Sequence, residues 1–238
     1  MTQEKYAVIS GSSRGIGKEI AHTFYKNGFH IFMIARDIDK LLACKHEFEA
    51  EFGNKNSIYT IQADVSKKEA VLEAATNILK KTKQIDVLVN NAGTFIPGKI
   101  SEEADNTFEI LWETNVASAY HLTRALLPQL QQSKAGQIFN ICSTASIVPY
   151  INGGSYCISK FALLGFSKVL REEMKDKNIK VTAVLPGATL TDSWAGADIP
   201  TNRFMQAVDV AEMLWSCYNT HPNVVIEELL LRPLAGDL

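Results

Sequence analysis

The chain has 238 residues, 46% hydrophobic and 21% charged, with a formal net charge of −2. That is enough for one sizeable domain and awkward for two, and the near-neutral balance recommends neither nucleic acid nor an anionic membrane as partner. The four cysteines (Cys44, Cys142, Cys157, Cys217) contain no C-x-x-C pair and the five histidines (His22, His30, His46, His121, His221) no ligand spacing, so neither disulfides nor a metal centre is expected and a reducing cytoplasm fits.

Met1-Thr2-Gln3-Glu4-Lys5 leads straight into an apolar strand pattern, without the regions of a signal peptide. No apolar run approaches the ~18 residues of a membrane helix. Tyr6 to Ser10 reads as a buried strand. It runs into Gly11-Ser12-Ser13-Arg14-Gly15-Ile16-Gly17, and a helical pattern (Ile16, Ile20, Ala21, Phe24) carries on to Asn27-Gly28. A strand, a glycine-rich turn and a helix start are the parts of a dinucleotide-binding crevice. Backbone N–H groups at the helix N-terminus face the pyrophosphate, and the glycines allow close approach. The spacing is G-x-x-x-G-x-G rather than G-x-G-x-x-G.

Ile31 to Ala35 is a second strand, followed by Arg36. An acidic residue at this edge suits the ribose 2′-hydroxyl of NAD and an arginine the 2′-phosphate of NADP. Arg36, with Arg14 as a second guanidinium, points to NADP(H), although Asp37 follows at once. Residues 38–53 read as a helix, Ile58 to Ile61 as a third strand running on to Ala63-Asp64-Val65, and residues 67–82 as a helix. Asp86 to Val89 is a fourth strand, ending in Asn90-Asn91-Ala92-Gly93. Alternating strands and helices predict a parallel sheet wound on both faces, with ligands beyond the strand C-termini. The glycine turn, Arg36, Asp64 and Asn90 to Gly93 all fall on that edge. No linker or repeat interrupts the rhythm, so residues 1–238 read as one Rossmann-type α/β domain.

Tyr156 and Lys160 stand four apart, on one face of a helix. An ammonium near a phenol lowers its pKa from about 10, so the pair is a sensible general acid/base. Together, Ser10 to Gly17, Asn90 to Gly93 and the Tyr156/Lys160 pair resemble the short-chain dehydrogenase/reductase family, with serine in place of the usual threonine at position 10. The resemblance spans nearly the whole chain. It implies reversible hydride transfer between NADP(H) and a carbonyl or alcohol, with carbonyl reduction favoured. It also implies site roles at matching positions. Residues 105–131 read as one long helix, and Asn115 within it matches the catalytic asparagine, at a helix irregularity, that holds a water linked to Lys160. After a fifth strand, Gln137 to Cys142, Ser143 matches the active-site serine. The helix of Tyr156 continues to Lys175, and a sixth strand, Ile179 to Leu185, ends in Pro186-Gly187. Thr191, with Thr189 as a near alternative, matches the hydroxyl that contacts the nicotinamide carboxamide.

In the resemblance, Gly11, Ser13, Arg14, Gly15, Ile16, Gly17, Arg36, Asp64, Val65, Asn91, Ala92, Gly93, Tyr156, Lys160, Pro186, Gly187, Thr189 and Thr191 hold the cofactor. Residues 192–205 match the substrate lid, where Trp194, with Phe95 and Tyr150, could equally be substrate contacts or plain core. A last helix, Ala207 to Tyr218, and a seventh strand, Glu228 to Pro233, complete the sheet. Cys142 and Cys157 read as packing residues, since nothing nearby argues for a thiolate. Apolar residues on several faces of the Tyr156 helix suggest packing on another subunit, and the resemblance implies a homodimer or homotetramer. The competing readings are a 3-oxoacyl thioester (acyl-carrier-protein) reductase, which should present a basic patch to its carrier, and a non-catalytic dinucleotide-binding regulator.

Overall fold

The computed structural model describes residues 4–194, 196 and 198–237, with the backbone alone at Ser193. Met1-Thr2-Gln3, Leu238 and the lid residues Ala195 and Ala197 lie outside the described residues. Seven strands, β1 (Tyr6–Ser10), β2 (His30–Ala35), β3 (Ile58–Gln62), β4 (Val87–Asn90), β5 (Gln137–Ile141), β6 (Lys180–Pro186) and β7 (Glu228–Leu231), form one sheet. Its order is β3-β2-β1-β4-β5-β6-β7 and every pairing is parallel. The helices α1 (Gly15–Lys26), α2 (Ile38–Phe52), α3 (Lys68–Leu79), α4 (Thr107–Trp112), α5 (Ser118–Leu130), α6 (Gly154–Met174) and α7 (Ala207–Tyr218) cover both faces. This is the doubly wound fold that the alternating sequence predicts.

Period-two alternation explains the two cores. Ala7, Ile9, Ile31 and Met33 point to one face and pack with Phe24 of α1 and Leu214 of α7. Val8, Phe32 and Ile34 point to the other and pack with Ile78 of α3 and Leu126 of α5. Strands buried on both faces read as continuous apolar runs, which is why these short segments were legible. No helix among the described residues is long and apolar enough to cross a membrane.

The winding reverses between β1 and β4, which are neighbours although β2 and β3 separate them in the chain. Loops leaving their C-terminal ends diverge to opposite faces, opening a crevice there. The stretch read as one helix over 105–131 departs from that expectation. Helix α4 gives way to a π-helical turn, Glu113–Ala117, before α5 resumes. The Asn115 carboxamide is held at this turn by the Thr94 backbone, and Ser118 Oγ donates to the Thr114 carbonyl at 2.6 Å. Helix α5 then runs past Pro128 and ends at Leu130.

Candidate active site

A cleft of about 890 Å³ opens at the C-terminal edge of the sheet. It is lined by all the residues singled out for the cofactor, together with Ser143. Of the sequence-predicted site, only Asn115 is set behind the wall, buried.

The glycine turn is built for close approach. Gly11 has φ +66°. A Cβ on Gly17 would overlap the Gly11 carbonyl and the Asn91 carboxamide. Asn91 Nδ2 donates to the carbonyls of Ser10 and Gly11 at 2.9 and 3.0 Å. Ser10 Oγ accepts from the N–H groups of Asn91 and Ala92 at 3.1 and 3.0 Å. The Ser10 hydroxyl and carbonyl together tie β1 to the loop after β4. Asn90 turns away from the cleft and donates to Thr123 on α5 and Asn140 on β5. The first turn of α1 contains no acidic residue, so its free N–H groups present an unopposed positive end to the cleft.

At the next corner the charges sort themselves. Asp37 is committed to capping α2, accepting from the Lys40 N–H at 3.1 Å, and that backbone hydrogen bond holds its carboxyl below the usual range. No side chain among the described residues pairs with the Arg36 guanidinium. Lys40, which the sequence reading passed over, adds a further cation to the lining, its Nζ 3.5 Å from Asp37 Oδ2. Arg14 is occupied, since its Nη1 meets Asp192 Oδ2 at 2.8 Å. Asp64 accepts from the N–H and hydroxyl of Ser66, and Thr189 Oγ1 donates to the Gly187 carbonyl. A glycine cradle at a helix N-terminus, with the unpaired Arg36 guanidinium at the neighbouring strand end, fits a phosphorylated dinucleotide.

Tyr156 and Lys160 lie one turn apart on α6 and both line the cleft. Lys160 Nζ stands 5.9 Å from the centre of the Tyr156 ring and donates to the Ile141 carbonyl at 2.9 Å. The electrostatics correct one expectation. Burial raises the Tyr156 pKa, and this outweighs the opposing hydrogen bond from Ser143. Burial also lowers the Lys160 pKa. Within the protein's own atoms, desolvation favours the neutral form of each group. Cys142 behaves as a packing residue, with burial pushing its thiol up to about 11.

Asn115 Oδ1 accepts from the Thr94 N–H at 2.8 Å, and Nδ2 donates to the Thr94 carbonyl at 3.0 Å and to Ser159 Oγ at 2.9 Å. Ser159 in turn donates to the Tyr156 carbonyl at 2.7 Å. Asn115 Oδ1 and Lys160 Nζ approach the same point beside Gly93, at 3.3 and 3.6 Å from where a Cβ would stand.

Sequence reasoning missed Glu103. Its carboxylate reaches across to α6, where it accepts from the Ser155 N–H at 2.8 Å and from the Ser155 hydroxyl. The space it occupies is left by glycine, because a Cβ on Gly98 or Gly154 would strike it. The anion thus caps the helix one residue before Tyr156. Glu103→Ala should strip a buried serine of both partners and lower stability by about 2 kcal/mol in urea denaturation.

The model of a family described as short chain dehydrogenase matches residues 5–199. Sepiapterin reductase of Chlorobaculum tepidum is 31% identical over 97% of each chain. 3-Dehydrosphinganine reductase of Danio rerio is 35% identical over 80% of this chain, which spans 58% of that relative's length. Among solved structures, an alcohol dehydrogenase from the archaeon Thermococcus sibiricus, complexed with 5-hydroxy-NADP, superposes with TM-score 0.90 at 28% identity, covering 98% of this chain and 97% of its own. L-Sorbose reductase from Gluconobacter frateurii, complexed with NADPH and L-sorbose, does so with TM-score 0.88 at 28% identity, covering 98% and 97%.

Proposed function

We propose, on the premise that this chain belongs to the short-chain dehydrogenase family, that it is an NADP(H)-dependent carbonyl reductase. The observation that carries the reading is the convergence of the Tyr156 phenol, Ser143 and Lys160 on the cleft that the glycine turn opens. Bound there, the cofactor supplies the hydride, and the protein supplies orientation and a proton.

Tyr156 gives its proton to the carbonyl oxygen as charge develops there, and Ser143 hydrogen-bonds the same oxygen. A phenol kept protonated by burial is ready for that donation. Lys160 holds the ribose and draws the phenol's pKa down as the proton leaves. Asn115, fixed at the π-helical turn, keeps the route to Lys160 in place. Arg36 and Lys40 hold the 2′-phosphate, with Arg14 available if it leaves Asp192. Gly11, Ser13, Gly15, Ile16 and Gly17 cradle the pyrophosphate. Asp64, Val65, Asn91, Ala92 and Gly93 border the adenosine and ribose, and Pro186, Gly187, Thr189 and Thr191 the nicotinamide.

NADP(H) preference rests on Arg36, a guanidinium with no partner among the described residues, beside an Asp37 already spent on capping. Arg36→Ala should weaken NADPH binding roughly 10- to 100-fold and leave NADH binding unchanged, as read by calorimetry. The same reading makes the chain a cytoplasmic homodimer or homotetramer. Exposed Phe108 and Trp112 on α4, Tyr120 on α5 and Phe161 and Val169 on α6 support a packing surface on those helices. Activity is tested by NADPH oxidation on adding ketones, aldehydes or 3-oxoacyl thioesters, and NADPH that binds but is consumed with none of them speaks for a regulator.

A further inference from the structure

The charges that line the cleft are unevenly placed. Arg14, Arg36, Asp37, Lys40 and Asp64 belong to the glycine turn, to the segment from the end of β2 into the first turn of α2, and to the loop after β3. Around Tyr156 the lining changes character. Phe95 meets the Tyr156 ring edge-on, with centroids 4.8 Å apart at 77°. Ile110, Val148, Tyr150 and Trp194 line the same cleft, with Thr94, Thr114, Ser143, Thr144 and the Tyr150 phenol as its hydroxyls.

The charged groups of the lining outside the nucleotide side are already engaged. Lys160 is buried on the Ile141 carbonyl. Asp192 is paired with Arg14 and Asp237 with Arg232. Beyond the lining, the apolar surface continues outward through Ile147 and Ile151, exposed beside the lining residues Val148 and Tyr150.

We infer that the substrate is an uncharged ketone or aldehyde on an apolar alkyl or aryl body, selected by Phe95, Ile110 and Tyr150. This rests on the reductase reading above. A carboxylate or phosphate on the substrate would be desolvated against these side chains with no free cation among the described residues on this side of the lining to receive it. An apolar body instead gains with every methylene it removes from water.

The test compares 2-ketones of increasing length, acetophenone and 2-oxo acids as substrates of the full chain with NADPH. We expect kcat/KM to rise about fourfold per methylene from 2-butanone to 2-heptanone. 2-Octanone should exceed 2-oxooctanoate by at least about 10²-fold. In Phe95→Arg the oxo acid should gain at least about tenfold while the long ketone loses. An oxo acid used as well as the matched ketone, or a flat dependence on chain length, would overturn the inference. Binding to NADPH-loaded Tyr156→Phe protein separates this from the reductase reading. If no carbonyl is turned over, tighter binding of 2-octanone than of 2-oxooctanoate sustains the apolar class on its own, and the reverse order overturns it.

Discussion

Tyr156→Phe should keep NADP(H) binding within a few-fold of the parent and lose at least about 10²-fold in turnover, the usual worth of a general acid. The substitution removes one oxygen and leaves the ring. The edge contact with Phe95 at 4.8 Å survives, as does the capping of α6 by Glu103 through Ser155. Ser143 keeps its own support, its Oγ accepting from the Ala145 N–H at 3.1 Å. A large loss of turnover with intact binding therefore reports the proton and not the fold. Binding by fluorescence titration and turnover by NADPH absorbance, on one preparation, decide it. Full activity in the variant would move the acid elsewhere.

Lys160→Met should also cost at least about 10²-fold in turnover, yet should not cost stability. Lys160 is buried, with a single hydrogen bond to a protein acceptor, the Ile141 carbonyl. Its pKa is lowered by burial. Between that lowered value and the ordinary lysine value, the unfolded chain binds more protons than the fold. Stability thus rises with pH through that window, and at neutral pH the lysine works against folding. Methionine has similar length and no charge to desolvate. The expected result is an unfolding midpoint at neutral pH no lower than the parent's, with the advantage shrinking as pH rises toward the lysine range. Stability given up for chemistry is common where a site must hold a charge in a dry place. A sharp drop in the midpoint would mean that Lys160 is chiefly a structural strut.

Much of the fold was legible because its signals are local. Strands such as Ile31–Ala35, buried on both faces, announce themselves as short apolar runs, and Gly11 and Gly17 mark a turn where a Cβ would collide with the neighbouring loop. The cleft residues were legible for a related reason, since topology alone places every strand's C-terminal end on one edge.

What sequence reasoning could not supply depends on contacts between distant segments. By propensity Asn115 reads as mildly unfavourable inside a helix; the resemblance implies an irregularity there, but its π-helical form and its tie to Thr94, 21 residues away, are visible only in the structure. Glu103 sits in an acidic stretch that looks like a solvated surface, and its partner Ser155 is 52 residues on. The paired glycines Gly98 and Gly154 were its only trace. Arg14 looked free because Asp192, 178 residues away, is invisible to local pattern. The lysine's effect on the phenol was overstated because proximity is visible in i,i+4 spacing and desolvation is not.

The account stands on Tyr156 being the group that delivers the proton, and the pH dependence of kcat/KM for carbonyl reduction tests this most directly. Reduction needs the protonated phenol, so activity should be level toward neutral pH and fall about tenfold per pH unit above the phenol's pKa. Alcohol oxidation should rise through the same pKa. Lys160→Met, which removes the neighbouring cation, should displace that limb to higher pH. An alkaline limb that persists unmoved in both Tyr156→Phe and Lys160→Met would contradict the account.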